Sequence, residues 1–130
     1  MIVDTSAVVA ILFQEPDARR FAEHLAREEP LLISAATLVE IGIVALRHGG
    51  QRLLVDAMRI VEESAMQVAP VTAERAQSAI AAYGRFGRGV GCPACLTFGD
   101  CFAYALAKET NQPLLFKGAD FSRTDVKAAT

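Results

Sequence analysis

Apolar residues fall along this chain in two textures. Short unbroken runs, Met1 to Val3, Pro30 to Ile33, Gln67 to Val71 and Leu114 to Phe116, are bounded by Asp, Ser, Pro or Gly and predict buried β-strands. Val126 to Ala128 is a candidate fifth strand at the sheet edge. Elsewhere the apolar positions recur at helical spacing. Ala7 to Gln14 predicts one helix, and Asp17 to Glu28 another, with Ala18, Phe21, Ala22 and Leu25 on one face. Ala35 to Arg47 is a third, stopped at Gly49-Gly50, and Arg52 to Ala65 a fourth. Thr72 is a plausible N-cap for a helix reaching Tyr83, and Gly99 or Asp100 opens the last long helix.

Strands alternating with helices predict a parallel sheet covered on both faces, and right-handed crossovers make that a three-layer α/β/α sandwich with four to five strands. Gly84 to Phe98 is the one long stretch without periodicity and reads as a functional loop. At 130 residues, 52% hydrophobic and 22% charged, the chain is expected to be a single domain over 1–130 with a core of its own. The acid at Asp4 interrupts any signal-peptide apolar stretch, and no run approaches the roughly 20 apolar residues of a membrane span, so a cytoplasmic protein is expected. Cys92, Cys95 and Cys101 are odd in number and crowded together, which fits reduced thiols better than a disulfide framework. The net charge of -2 does not mark a nucleic-acid binder by itself, so such a function must rest on local features.

Those features are acids. In an open parallel sheet the ligand site lies beyond the carboxyl ends of the strands. Asp4 closes the first predicted strand and Asp120 lies just past the fourth, while Glu40 and Asp100 sit on helices among apolar neighbours. Taken singly, Asp4 and Asp100 could be helix caps and Asp120 a turn residue. Glu40 resists so plain a reading, because its apolar helix offers no adjacent cation. Four carboxylates converging on one edge would repel one another unless a cation joined them, and all-oxygen ligands suit Mg²⁺ or Mn²⁺. Such ions promote phosphodiester hydrolysis, singly or as a pair.

The segments Ile2-Val3-Asp4-Thr5-Ser6-Ala7, Thr37-Leu38-Val39-Glu40, Leu96-Thr97-Phe98-Gly99-Asp100-Cys101-Phe102-Ala103-Tyr104 and Leu114-Leu115-Phe116-Lys117-Gly118-Ala119-Asp120-Phe121 together resemble the PIN-domain VapC toxins over essentially the whole chain. The resemblance implies a PIN-like α/β/α sandwich and a Mg²⁺- or Mn²⁺-dependent endoribonuclease. It further implies homodimerisation and neutralisation by a VapB-type antitoxin. Carried across, it makes Asp4, Glu40, Asp100 and Asp120 the catalytic acids, with Asp4, Asp100 and Asp120 as metal ligands and Ser6 as a supporting hydroxyl. The chain departs from the family at Thr97 and Ala119, where Asn is common. Asp125 also matches a common family position, as a supporting or outer metal ligand or else a helix cap.

Arg85 and Arg88 flank the loop before Asp100 and are candidates for holding an RNA backbone, against the alternative of a solvated loop. Tyr83, Phe86 and Phe98 could stack on bases or belong to the core. Cys92-Pro93-Ala94-Cys95 has redox-pair spacing but falls in the Gly-rich loop, and reads as thiols without a role. Gly87-Arg88-Gly89-Val90-Gly91 lacks the Gly-Lys-Ser/Thr ending of a phosphate loop. The helix pair from Ala35 to Ala65 carries more Leu, Ile, Val and Met than one buried stripe needs, which suggests a face left over for a partner or second subunit, against the alternative of a deep core. The competing enzyme, a haloacid-dehalogenase-like phosphatase, wants a second Asp where Ser6 stands, and a receiver-type signalling module wants an early acidic pair that is absent. A DNA nuclease or a catalytically weak nucleic-acid-binding protein on the same fold stays open.

Overall fold

A computed structural model describes all residues except Glu29, Cys92 and Thr130. The order of elements is β1 (Ile2–Val3), α1 (Thr5–Leu12), α2 (Ala18–Arg27), β2 (Leu32–Ser34), α3 (Ala35–Glu63), β3 (Gln67–Ala69), α4 (Ala73–Phe86), α5 (Phe98–Thr110) and β4 (Leu114–Leu115). All strands are parallel, in the order β3-β2-β1-β4. Ile2 is in register with both Leu32 and Leu114, which places β1 at the centre.

Alternation along these short strands divides the interior into two layers. Val3, Ile33 and Leu115 face α1, α2 and α3 in one core, with Phe21, Ile41 and Ala57. Ile2 and Leu114 face the opposite way into a second core with Ala79, Phe86, Leu96, Tyr104 and Leu106 from α4, α5 and their loop. The expected three-layer sandwich is thus observed. The strands are shorter than their apolar runs: β3 stops at Ala69 because Pro70 has no N–H for the ladder. The expected fifth strand reduces to one bridge, Leu114 to Ala128, with Leu114 N donating to Lys127 O at 2.8 Å.

The two helices expected between Ala35 and Ala65 run on as α3, broken at Gly50, whose φ of 65° and ψ of -155° favour glycine. The unperiodic loop is also shorter than expected. α4 continues to Phe86 and α5 starts at Phe98, after a Thr97 N-cap. The intervening residues are tied back by Arg88 N to Leu96 O at 2.9 Å and Leu96 N to Phe86 O at 3.1 Å.

Candidate active site

The carboxyl end of β1 delivers Asp4 as the N-cap of α1. Its Oδ2 accepts from Ser6 N at 2.9 Å and from Ser6 Oγ at 2.6 Å. Its Oδ1 is buried with no hydrogen-bond partner among the described residues, the residue being 3% exposed. A buried carboxylate oxygen without a partner is costly, and a bound cation is one group that offsets the cost. Burial pushes the Asp4 carboxyl up to about 7; the Ser6 bonds oppose the shift, and the neighbouring charges of Asp100 and Glu40 add to it.

Glu40 reaches the same place from the first half of α3. Thr5 Oγ1 donates to its Oε1, and its carboxylate lies against the backbone of Gly99. A Cβ at Gly99 would stand 2.7 Å from Glu40 Cδ, so the two residues share one space. Asp100 occupies the third position of α5 in a reciprocal capping box: Thr97 N donates to Asp100 Oδ2 at 2.8 Å, and Asp100 N to Thr97 Oγ1. Burial pushes the Asp100 carboxyl upward; Asp120 adds to this and Arg88 opposes it. Asp120 itself is exposed, two residues beyond Gly118 with its φ of 97°.

Three of the acids therefore share one arrangement, with one oxygen of Asp4, Glu40 and Asp100 tied to Ser6, Thr5 and Thr97 respectively and the other without a hydrogen bond among the described residues. Among the described residues no three His, Cys, Asp or Glu side chains form a ready-made metal cage. That does not count against Mg²⁺ or Mn²⁺, because such ions keep several waters and need only one or two carboxylates. The unpartnered Asp4 Oδ1, with Asp100 and Glu40 adding negative charge, fits a hard divalent cation.

The other candidates separate. Asp125 accepts from Tyr104 Oη, from Lys108 Nζ at 3.0 Å and from Arg85 Nη1 at 3.4 Å, which hold its carboxyl below the ordinary range. It is bonded to none of the four acids and caps no helix among the described residues. Arg85 is engaged by Asp125 and stacks on Phe86 at 4.6 Å. Arg88 is exposed and acts electrostatically on Asp100. Phe86 is core, whereas Phe98 is 78% exposed and meets Phe102 edge-on. Phe98, Phe102, Ile80, Tyr83 and Arg88 line an apolar groove of about 760 Å³ between α4 and α5, beside the acids and not over them. Cys101 is buried, its thiol pushed up to about 11 by that burial, and Cys95 is exposed; the reading of Cys92 and Cys95 as loop thiols falls partly outside the described residues, which do not include Cys92.

Sequence reasoning missed Thr97 and Thr5 as carboxylate anchors and Gly99 as the seat of Glu40. Thr97-x-x-Asp100 was the legible signal, since a Thr three residues before an acid is a capping-box pattern.

The PIN domain family model matches residues 1–127. Ribonuclease VapC28 of Mycobacterium tuberculosis is 46% identical over 129 residues, 99% of this chain and 97% of that protein. Ribonuclease VapC42 of the same species is 43% identical over 131 residues, 99% and 98% of the two chains. The crystal structure of M. tuberculosis VapC20, described as a Sarcin-Ricin loop cleaving toxin, superposes with a TM-score of 0.79 at 21% identity, covering 96% of this chain and 95% of that one. The chain belongs to the PIN-domain family, among the VapC ribonucleases.

The Asp4 environment sets a pH dependence for the metal-free protein. Its carboxyl binds a proton more tightly folded, near 7, than unfolded, near 3.8. The stability it contributes is therefore complete below pH 3.8 and lost as pH rises toward 7, with a ceiling of about 4 kcal/mol. Thermal melts in EDTA should show wild type losing stability relative to Asp4→Asn between pH 4 and 7. A pH-independent difference would refute the assignment.

Proposed function

We propose that this chain is a Mg²⁺- or Mn²⁺-dependent endoribonuclease, the toxin of a VapBC-type toxin–antitoxin pair. The observation that carries this reading is the set of half-tethered acids around the buried, unpartnered Asp4 Oδ1. Asp4, Asp100 and Asp120 would hold the cation, each presenting an oxygen without a hydrogen bond among the described residues. When bound, the ion supplies Lewis-acid stabilisation of phosphate charge and a more acidic water. Glu40, fixed through Oε1 by Thr5, has Oε2 left to orient a water or accept its proton. Ser6 and Thr97 orient Asp4 and Asp100 through the bonds they already make. Asp125 acts at a remove, by holding Arg85, Lys108 and Tyr104 beside α5. Arg88 offers a cation to the RNA backbone, with Arg85 a second contact once it leaves Asp125. The likeness to the ribonucleases VapC28 and VapC42 supports ribonuclease chemistry.

A VapB-type antitoxin and a second copy of the chain are the expected protein partners. Val39, Ile43 and Leu46 are 61%, 50% and 41% exposed along α3, the leftover apolar face that the sequence suggested. Sedimentation should give twice the chain mass; a monomer at micromolar concentration would remove the dimer. No helix among the described residues is long and apolar enough to cross a membrane, which is compatible with a cytoplasmic site of action.

The test is digestion of total RNA and of single-stranded DNA by the antitoxin-free protein in Mg²⁺, Mn²⁺ or EDTA. Metal-dependent RNA fragments are expected. Cutting of DNA alone, or RNA binding without cutting, would replace the ribonuclease reading with one of its alternatives.

A further inference from the structure

Asp120 differs from the other three acids in having no hydrogen bond on its carboxylate among the described residues, and it is exposed. Its position is therefore set by the loop that carries it. Lys117, between β4 and Asp120, grips that loop at two points. Its backbone N donates to Ser6 Oγ at 2.9 Å, and the same hydroxyl donates to Asp4 Oδ2 at 2.6 Å. Its Nζ donates to Asp17 Oδ1 at 2.8 Å and to the Glu15 carboxylate, both in the turn between α1 and α2. One anchor thus lies in the first turn of α1 and the other just past its end. Gly118, next in the chain, has the positive φ that turns the backbone away toward Asp120.

We propose that Lys117 is a positioning residue for the cation site: its side chain clamps the Asp120-bearing loop to the α1–α2 turn and so fixes where Asp120 stands relative to Asp4. The proposal rests on reading the four acids as a cation site. Two carboxylates share the one ammonium, so neither alone can replace the grip, and an apolar side chain at position 117 would leave the acids to repel each other. Partly exposed ion pairs contribute little to global stability, so loss of the clamp should spare the fold.

The test compares wild type, Lys117→Met, Lys117→Arg and the double variant Glu15→Gln/Asp17→Asn. Mn²⁺ binding is measured by calorimetry without RNA, and cleavage is followed as Mg²⁺ is titrated. Lys117→Met and the double variant should each weaken Mn²⁺ binding by roughly tenfold and raise the half-maximal Mg²⁺ for cleavage by a similar factor, as loss of a group orienting a ligand does. Lys117→Arg should recover most of the loss, and combining Lys117→Met with the double variant should add nothing further. Should Lys117→Met fail to fold, the double variant decides. Wild-type Mn²⁺ affinity in the folded variants, or additive losses, would overturn the proposal. So would an effect confined to KM for RNA, which would make Lys117 a phosphate contact. A wild-type protein that binds Mn²⁺ and loses it in these variants, yet cuts no RNA, would sustain the clamp while ending the ribonuclease reading.

Discussion

Asp4→Asn is expected to lower RNA cleavage by about 10²–10³-fold or more while leaving the metal-free protein at pH 8 as stable as wild type or more so. The two effects have one source. Asp4 carries a charge that burial and the Asp100 and Glu40 charges oppose, a conflict of up to about 4 kcal/mol above pH 7. Asparagine removes the charge and keeps an oxygen for the Ser6 bonds, but places an amide where Oδ1 has no partner, at a cost of about 1–3 kcal/mol. A net gain of at most about 1–3 kcal/mol follows. Millimolar Mn²⁺ should then raise the melting temperature of wild type and not of the variant, since only a state that binds the ion is stabilised by it. Full activity in Asp4→Asn, or an equal response of both proteins to Mn²⁺, would remove Asp4 from the site.

Gly99→Ala is expected to cut activity by about 10²-fold with a stability loss of about 1 kcal/mol or less. The added methyl would lie 2.8 Å from Glu40 Oε1 and 2.7 Å from its Cδ, so one of the two residues must move. Glu40 yields, because the end of a flexible side chain shifts more cheaply than a backbone. In yielding it loses the Thr5 bond and leaves its place near Asp4. Thr5→Val tests the same cause from the other side: a smaller fall in activity that is not additive with Gly99→Ala, read from a double-mutant cycle. Unchanged cleavage in Gly99→Ala would mean that Glu40 has no fixed task.

Much of this site was legible because its signals are local. An acid directly after an apolar run marks Asp4, and a glutamate isolated in an apolar helix marks Glu40. The layered fold was equally accessible, since strand and helix texture alternate along the whole chain. What escaped was tertiary. Nothing around Gly99 announces that a carboxylate from α3 will rest on it, and Lys117 meets Glu15 and Asp17 only after β4 has paired with β1. The loop before α5 looked longer than it is because Ala94 and Leu96 are buried without periodicity, and Thr97 starts the helix two to three residues ahead of the glycine and acid that seemed to open it. At Asp100 the plain reading of the acid is observed, with Oδ2 closing the capping box on α5, and the proposed metal role needs only the other oxygen, so the two readings are not exclusive.

The most direct test of the four-acid site is cleavage of total cellular RNA by wild type and Asp100→Asn side by side, with Mg²⁺ titrated from zero in the presence of EDTA. Discrete fragments that appear with the metal in wild type and are absent from the variant at every Mg²⁺ concentration are the predicted result; the same fragments from Asp100→Asn, or wild-type cutting undiminished in EDTA, would contradict it.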